Sequence, residues 1–161
     1  MLCADCGFRL YFNPAVAVAV FIRGDDGRIL LIRRAKDPGA GLLAPPGGFI
    51  DIGETAETAV HREIREEIGL RLEAVRFLCS RPNEYLFGGV TYPVLDLFFT
   101  ARALGTAGAA DPEEVRAVEW LAPSRIRIED LAFPSMRQAW QEWLRANPPF
   151  ASASPGDSLQ R

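Results

Sequence analysis

Three glutamates, Glu63, Glu66 and Glu67, fall within five residues of one segment. Carboxylates so crowded repel one another unless positive charge sits against them. Arginine could supply it, since Arg62 and Arg65 lie in the same segment. A hard divalent cation could equally supply it, because such ions prefer carboxylate, carbonyl and water oxygens. Residues 56–68 read as a helix, with Thr55 as N-cap and Gly69 just beyond the last turn. The capping box is incomplete, as Thr58 stands where Glu or Gln would close it. At about 100° per residue, Ala56, Val60, Ile64 and Ile68 define one apolar arc. Glu67 falls within about 20° of Val60, inside that arc, with Glu63 at its edge and Glu66 further round. A helix that only covered a core would not aim a carboxylate there, because an unpaired buried charge is strongly destabilising. The other reading is a solvated acidic helix with internal ion pairs.

The chain that must position these groups has 161 residues, 48% hydrophobic and 24% charged, with a net charge of −3. That length predicts one domain with one core, and the composition excludes whole-chain disorder. The mild acidity argues against a nucleic-acid partner, which calls for a basic stripe. A phosphate-bearing substrate would then be met by local arginines or bound cations, since Lys36 is the sole lysine. No apolar run reaches the roughly 18 residues of a membrane span, so no membrane partner is expected. The longest run, 15–22, lacks the basic flank and cleavage site of a signal peptide. Cys3, Cys6 and Cys79 cannot close a disulfide framework, which predicts a reducing, cytoplasmic location.

Residues 15–22 and 28–33 read as strands joined by Asp25-Asp26-Gly27, a predicted hairpin. A Gly/Pro-punctuated loop over 35–53 leads into the acidic helix. Further strands are predicted over 75–80, 94–103 and 115–121, with a small-residue loop at 104–110. Met136, Ala139, Trp140, Trp143 and Leu144 share one face of a terminal helix, the tryptophans as core anchors. Strands outnumber helices, so the class is α+β, a sandwich.

From Gly48 the chain runs through five residues to Glu54, then seven more to Arg62-Glu63-Ile64-Arg65-Glu66-Glu67-Ile68-Gly69-Leu70. This resembles the Nudix box of the Nudix hydrolases at every defining position, with the Pro-Gly-Gly entry at Pro46-Gly47-Gly48. Leu43 and Pro45 depart from the aromatic and bulky residues usual before that entry. The resemblance implies the Nudix fold over about residues 14–146, an α/β/α sandwich with a mixed sheet and a catalytic loop–helix–loop. It implies divalent-metal-dependent hydrolysis of a nucleoside diphosphate linked to another moiety, with ADP-ribose or a similar nucleotide derivative first. It also implies that Glu63, Glu66 and Glu67, with the Gly47 carbonyl, hold Mg²⁺ or Mn²⁺, Glu66 sharing in catalysis. Glu54 and Arg62 match a pair that braces the loop. A further acid is expected before the strand ending at Trp120: Glu114 first, Glu113 second. A catalytically weak nucleotide-sensing module on the same fold is the alternative, and it has no need of all three glutamates.

Arg33 and Arg34 end a strand near the box and could hold phosphate or be surface arginines. Tyr85, Phe87 and Tyr92 could stack on a base or pack the core. Cys3-x-x-Cys6-Gly7, in residues 1–13, looks like the second half of the zinc ribbon of NADH-pyrophosphatase-type Nudix enzymes. A structural Zn²⁺ needs four ligands, so a bound ion would call for two half-sites pairing in a homodimer or for a misplaced start codon; otherwise the segment is a relic turn. The Ser-Gln-Pro-Trp-Pro-Phe-Pro run of NADH pyrophosphatases is missing, with Arg81–Tyr85 in its place. Residues 147–161 read as a loose tail.

Overall fold

The Val-rich run becomes β1 (Ala15–Arg23), buried through most of its length because helices cover both faces of its sheet. β2 (Ile29–Arg34) pairs with it antiparallel only at Ile22↔Leu30 and Arg23↔Ile29, so the expected hairpin opens almost at once. Beyond that point β2 pairs β3 (Leu43–Ala44), and its other edge pairs β6 (Val115–Leu121). β1 pairs β5 (Val90–Leu104) in parallel, and β5 pairs β4 (Arg71–Phe87) antiparallel. The result is a mixed sheet of order β3-β2-β1-β5-β4 with β6 on the far edge of β2. The computed structural model describes residues 1–9, 11–108 and 110–148. Of the predicted tail, 149–161 lie outside the described residues.

The opening between β1 and β2 decides where chemistry can sit. The loop after β3 enters it and takes β2's place beside β1. Val20 N–H donates to Pro46 O (2.9 Å), Val18 N–H to Gly48 O (2.8 Å) and Ile50 N–H to Val16 O (2.9 Å). That loop feeds α1 (Ala56–Ile68), capped as expected: Thr58 N–H donates to the Thr55 hydroxyl, and Gly69 takes the left-handed turn at φ 61°. α2 (Pro134–Ala146) packs the opposite face, where Trp140 meets Phe21 at 5.4 Å between ring centres. Trp140 and Trp143 stack on one another in the core.

β4 and β5 run well beyond their expected bounds. Pro82 and Pro93 suggest an end to both strands, yet each stands in the ladder, opposite Leu95 and Glu84. β4 is the sheet edge, where a missing N–H costs nothing, and Pro93 precedes the register in which β5 meets β1. The extra length carries Asn83 and Tyr85 over the mouth of a cleft.

Candidate active site

Gly47 sits at φ 146°, a conformation side chains rarely adopt, and a Cβ there would strike the Val18 carbonyl. A Cβ on Gly48 would meet the Glu63 carboxylate at 2.6 Å. The two glycines therefore let the loop lie between β1 and the acidic face of α1. Gly47 N–H donates to Glu67 Oε2 at 2.8 Å. Glu67 is only 5% exposed, and its carboxyl is pushed up to about 8, first by burial and further by Glu63 and Glu114. The Gly47 N–H and Arg34 pull it the other way. Burial also raises Glu63, against the neighbouring Arg62.

Arg62 organises the outer side of the helix. Its Nη2 lies 2.7 Å from Glu54 Oε2, and its Nε donates to Glu54 Oε1 at 3.0 Å. Nη1 reaches Glu63 Oε1 at 2.7 Å and Glu66 Oε2 at 3.2 Å, while Nη2 also donates to Phe49 O at 3.0 Å. This fork ties the loop to the helix and holds the Glu54 carboxyl below the usual range. Both readings of the helix are thus partly met: Arg62 pairs the outer carboxylates, and among the described residues Glu67 has no salt-bridge partner.

Glu63, Glu67 and Glu114 line a single cleft of about 440 Å³ together with Gly47, Gly48, Arg34, Lys36 and Asp37. Other expected residues stand apart from it. The Glu66 side chain is 62% exposed on the flank held by Arg62. As the side chains stand, among the described residues no group of three converges closely enough to hold a metal ion. Glu113 is 80% exposed and pairs with Lys36 at 3.3 Å. Arg33 is not among the residues lining the cleft: its Nε donates to Glu119 at 2.7 Å and its Nη1 to Gly41 O at 2.7 Å. Arg34, the next residue, lines the cleft, bonded to Pro38 O at 2.9 Å and lying over the Phe133 ring at 5.2 Å. Tyr85 forms part of the wall, edge-on to Phe49 and tilted against Phe133.

Asp96, Asn83, Phe133 and Met136 also line the cleft; the sequence marked none of them as a site residue, and Met136 only as part of the apolar face of the terminal helix. The available signal was Asp96, a lone acid in the apolar run 94–99. Cys3 and Cys6 are exposed thiols at the N-terminus, and Cys79 is buried. Cys3 N–H bonds Phe8 O at 2.8 Å, Gly7 N–H bonds Cys3 O at 3.0 Å, and Gly7 takes φ 71°. Backbone N–H groups of Cys6 and Asp5 hold the Cys3 thiol below its ordinary range.

The NUDIX domain family model matches residues 13–143, most of the chain. The chain belongs to the Nudix family. It is 56% identical over 63 residues to an "ADP-ribose pyrophosphatase" of Methanocaldococcus jannaschii, covering 39% of this chain and 37% of that protein. It is 33% identical over 145 residues to the "NAD-capped RNA hydrolase NudC" of Deinococcus radiodurans, covering 88% of this chain and 49% of that one. The chain thus spans half or less of the length of these curated relatives. Among solved structures, a MutT NUDIX hydrolase from Burkholderia pseudomallei matches with TM-score 0.70 and 31% identity, covering 81% of this chain and 98% of that one. The NUDIX domain of Shewanella oneidensis NrtR, solved with ADP ribose, shares the fold at TM-score 0.67 and 22% identity, covering 84% and 90%. The expected fold and family are therefore borne out. No helix among the described residues is long and apolar enough to cross a membrane.

Proposed function

We propose that this Nudix chain hydrolyses the diphosphate linkage of a nucleoside diphosphate joined to another moiety, with ADP-ribose the first substrate. One observation carries the reading: the buried Glu67 carboxylate faces one cleft with Glu63 and Glu114, with no salt-bridge partner among the described residues. Hard oxygen donors beside a buried carboxylate that has no ion pair of its own among the described residues fit Mg²⁺ or Mn²⁺ once they converge on the ion. Glu63, Glu67 and the Gly47 carbonyl would hold the ion, with Glu66 joining once released from Arg62. A bound divalent cation neutralises diphosphate oxygens and lowers the pKa of a coordinated water. Arg34 and Lys36 meet the remaining phosphate charge, and Tyr85 and Phe133 offer ring faces to the nucleoside. Glu114 accepts the proton of the attacking water. The relatives' names support this substrate class and add the NAD-capped 5′ end of RNA to it. Net acidity favours a short nucleotide derivative over an RNA chain.

The test is a product-release panel over ADP-ribose, NADH, NAD-capped RNA and nucleoside diphosphate sugars, with Mg²⁺ or Mn²⁺. Metal-dependent cleavage of at least one is expected. Binding of ADP-ribose without cleavage of any would establish the sensing alternative instead. We place the activity in the cytoplasm, where the free thiols stay reduced.

The N-terminal turn supports a separate expectation. The exposed Cys3 and Cys6, their loop already closed by backbone bonds, form half of a four-thiolate zinc site completed by a second copy. Protein purified under reducing conditions without chelator should then carry about half a zinc per chain, from four thiolates per ion. Metal analysis finding none would leave the segment a plain turn.

A further inference from the structure

Asp96 is a buried carboxyl group to which the hydrolysis proposed above gives no role. It is 7% exposed, on β5 beside Ala17 of β1, and it lines the same cleft as Glu63, Glu67 and Glu114. Ser135, in the first turn of α2, donates its hydroxyl to Asp96 Oδ2 at 2.6 Å, and the Asn83 side chain donates as well. Burial pushes the Asp96 carboxyl up, and these two neutral donors pull it down. Arg81, its cross-strand neighbour, turns instead to Glu142 at 3.4 Å. A carboxylate can accept about four hydrogen bonds, so two protein donors leave it acceptor capacity toward the cleft. The surrounding wall is Tyr85, Phe133 and Met136, flat or deformable apolar groups. Apolar faces around a few fixed polar atoms are what a planar heterocycle with a polar edge requires.

We infer that Asp96 selects the base of the substrate, accepting a hydrogen bond from an exocyclic amino group, that of adenine in the substrate class proposed above, on which this inference rests. The diphosphate then lies at the Glu63–Glu67–Glu114 end of the cleft and the base at the Asp96–Asn83 end. A 6-oxo base presents an acceptor to an acceptor and is rejected. A site built around a substrate's hydrogen-bonding group discriminates against analogues lacking it, because its own polar atoms are left unpaired. A carboxylate serving only to tie β5 to α2 would be indifferent to the base.

The experiment is calorimetric binding of AMP, IMP and purine riboside 5′-monophosphate at one Mg²⁺ concentration, to wild type and to Asp96→Asn. None of these ligands has an anhydride to cleave, so binding is read without turnover. Wild type should bind AMP about 10- to 100-fold more tightly than either of the others. Asp96→Asn, whose amide can also donate to a 6-oxo group, should narrow the AMP–IMP gap to within about threefold. Purine riboside deletes the amino group from the ligand, so the wild-type comparison stands even if the variant folds poorly. Equal binding of AMP and IMP by wild type, no AMP binding at millimolar concentration, or a gap that survives in a folded Asp96→Asn each overturns the inference. Turnover of ADP-ribose and its inosine counterpart with equal kcat/KM would remove the role of Asp96 and leave the hydrolase reading intact. Base discrimination in binding, with no diphosphate cleaved, would do the reverse.

Discussion

Glu67→Gln is expected to lower turnover of the identified substrate by ~10²–10³-fold or more while leaving the fold standing. The amide keeps an oxygen to accept the Gly47 N–H, now bonded to Glu67 Oε2, so the loop loses no backbone partner. What disappears is a buried charge that metal-free protein must either desolvate or neutralise. The Glu67 carboxyl, pushed up to about 8 by burial above all, binds its proton more tightly in the folded state. Its contribution to stability is therefore full below the ordinary carboxylate value of 4.5 and falls as pH rises toward about 8. Chelated wild type should lose melting temperature relative to Glu67→Gln between about pH 5 and pH 8. Added Mg²⁺ should recover that loss in wild type alone, most strongly at the alkaline end, where no proton competes for the site. Thermal melts of both proteins across this range, with and without Mg²⁺, measure each part. Parallel curves together with activity within a few-fold of wild type would remove Glu67 from the metal site.

The burial of Glu67 was legible from the sequence because it follows from helical periodicity, a local property. The Thr55 cap, the Gly69 terminus and the apolar arc are local as well, and the structure reproduces each of them. Arg33 and Arg34 show where locality stops. Adjacent strand residues point to opposite faces, so only one of the two can enter a cleft on a given face. The choice is set by β6, whose register with β2 shifts between them and whose Glu119 captures Arg33. The ends of β4 and β5 depend on which strand becomes the sheet edge, a property of the assembled sheet that Pro82 and Pro93 cannot announce. The contact between Asp96 and Ser135 joins residues 39 apart in sequence and exists only once α2 has packed on β5.

Glu113 and Glu114 pose the same adjacent-residue choice, and the backbone resolves their directions. Asp111 N–H donates to the carbonyl of Glu67 at 2.9 Å, which fastens this loop to the last turn of α1. Glu113 N–H folds back on Asp111 Oδ1 at 2.9 Å, and Ala35 N–H takes the Glu114 carbonyl at 2.9 Å. So braced, the loop sends Glu113 outward to Lys36 and presents Glu114 in the cleft opposite Glu63 and Glu67. Glu114→Gln is accordingly expected to cut kcat by ~10²–10⁴-fold, the usual cost of losing a base that orients or deprotonates the attacking water. The apparent Mg²⁺ requirement should change little, because on the proposed function Glu63 and Glu67, on a rigid helix, would hold the ion before substrate arrives. Glu67→Gln, in contrast, should damage kcat and the Mg²⁺ requirement together. Glu113→Gln should remain near wild type, since it loses only an exposed ion pair worth at most about 1 kcal/mol. Steady-state kinetics with Mg²⁺ titrations on the three variants separate these roles. Loss of activity in Glu113→Gln with full activity in Glu114→Gln would move the role to the neighbour and require the loop to turn over on binding substrate. Full activity in both single variants and in the double variant would show that the extra acid lies elsewhere and that this loop is only surface.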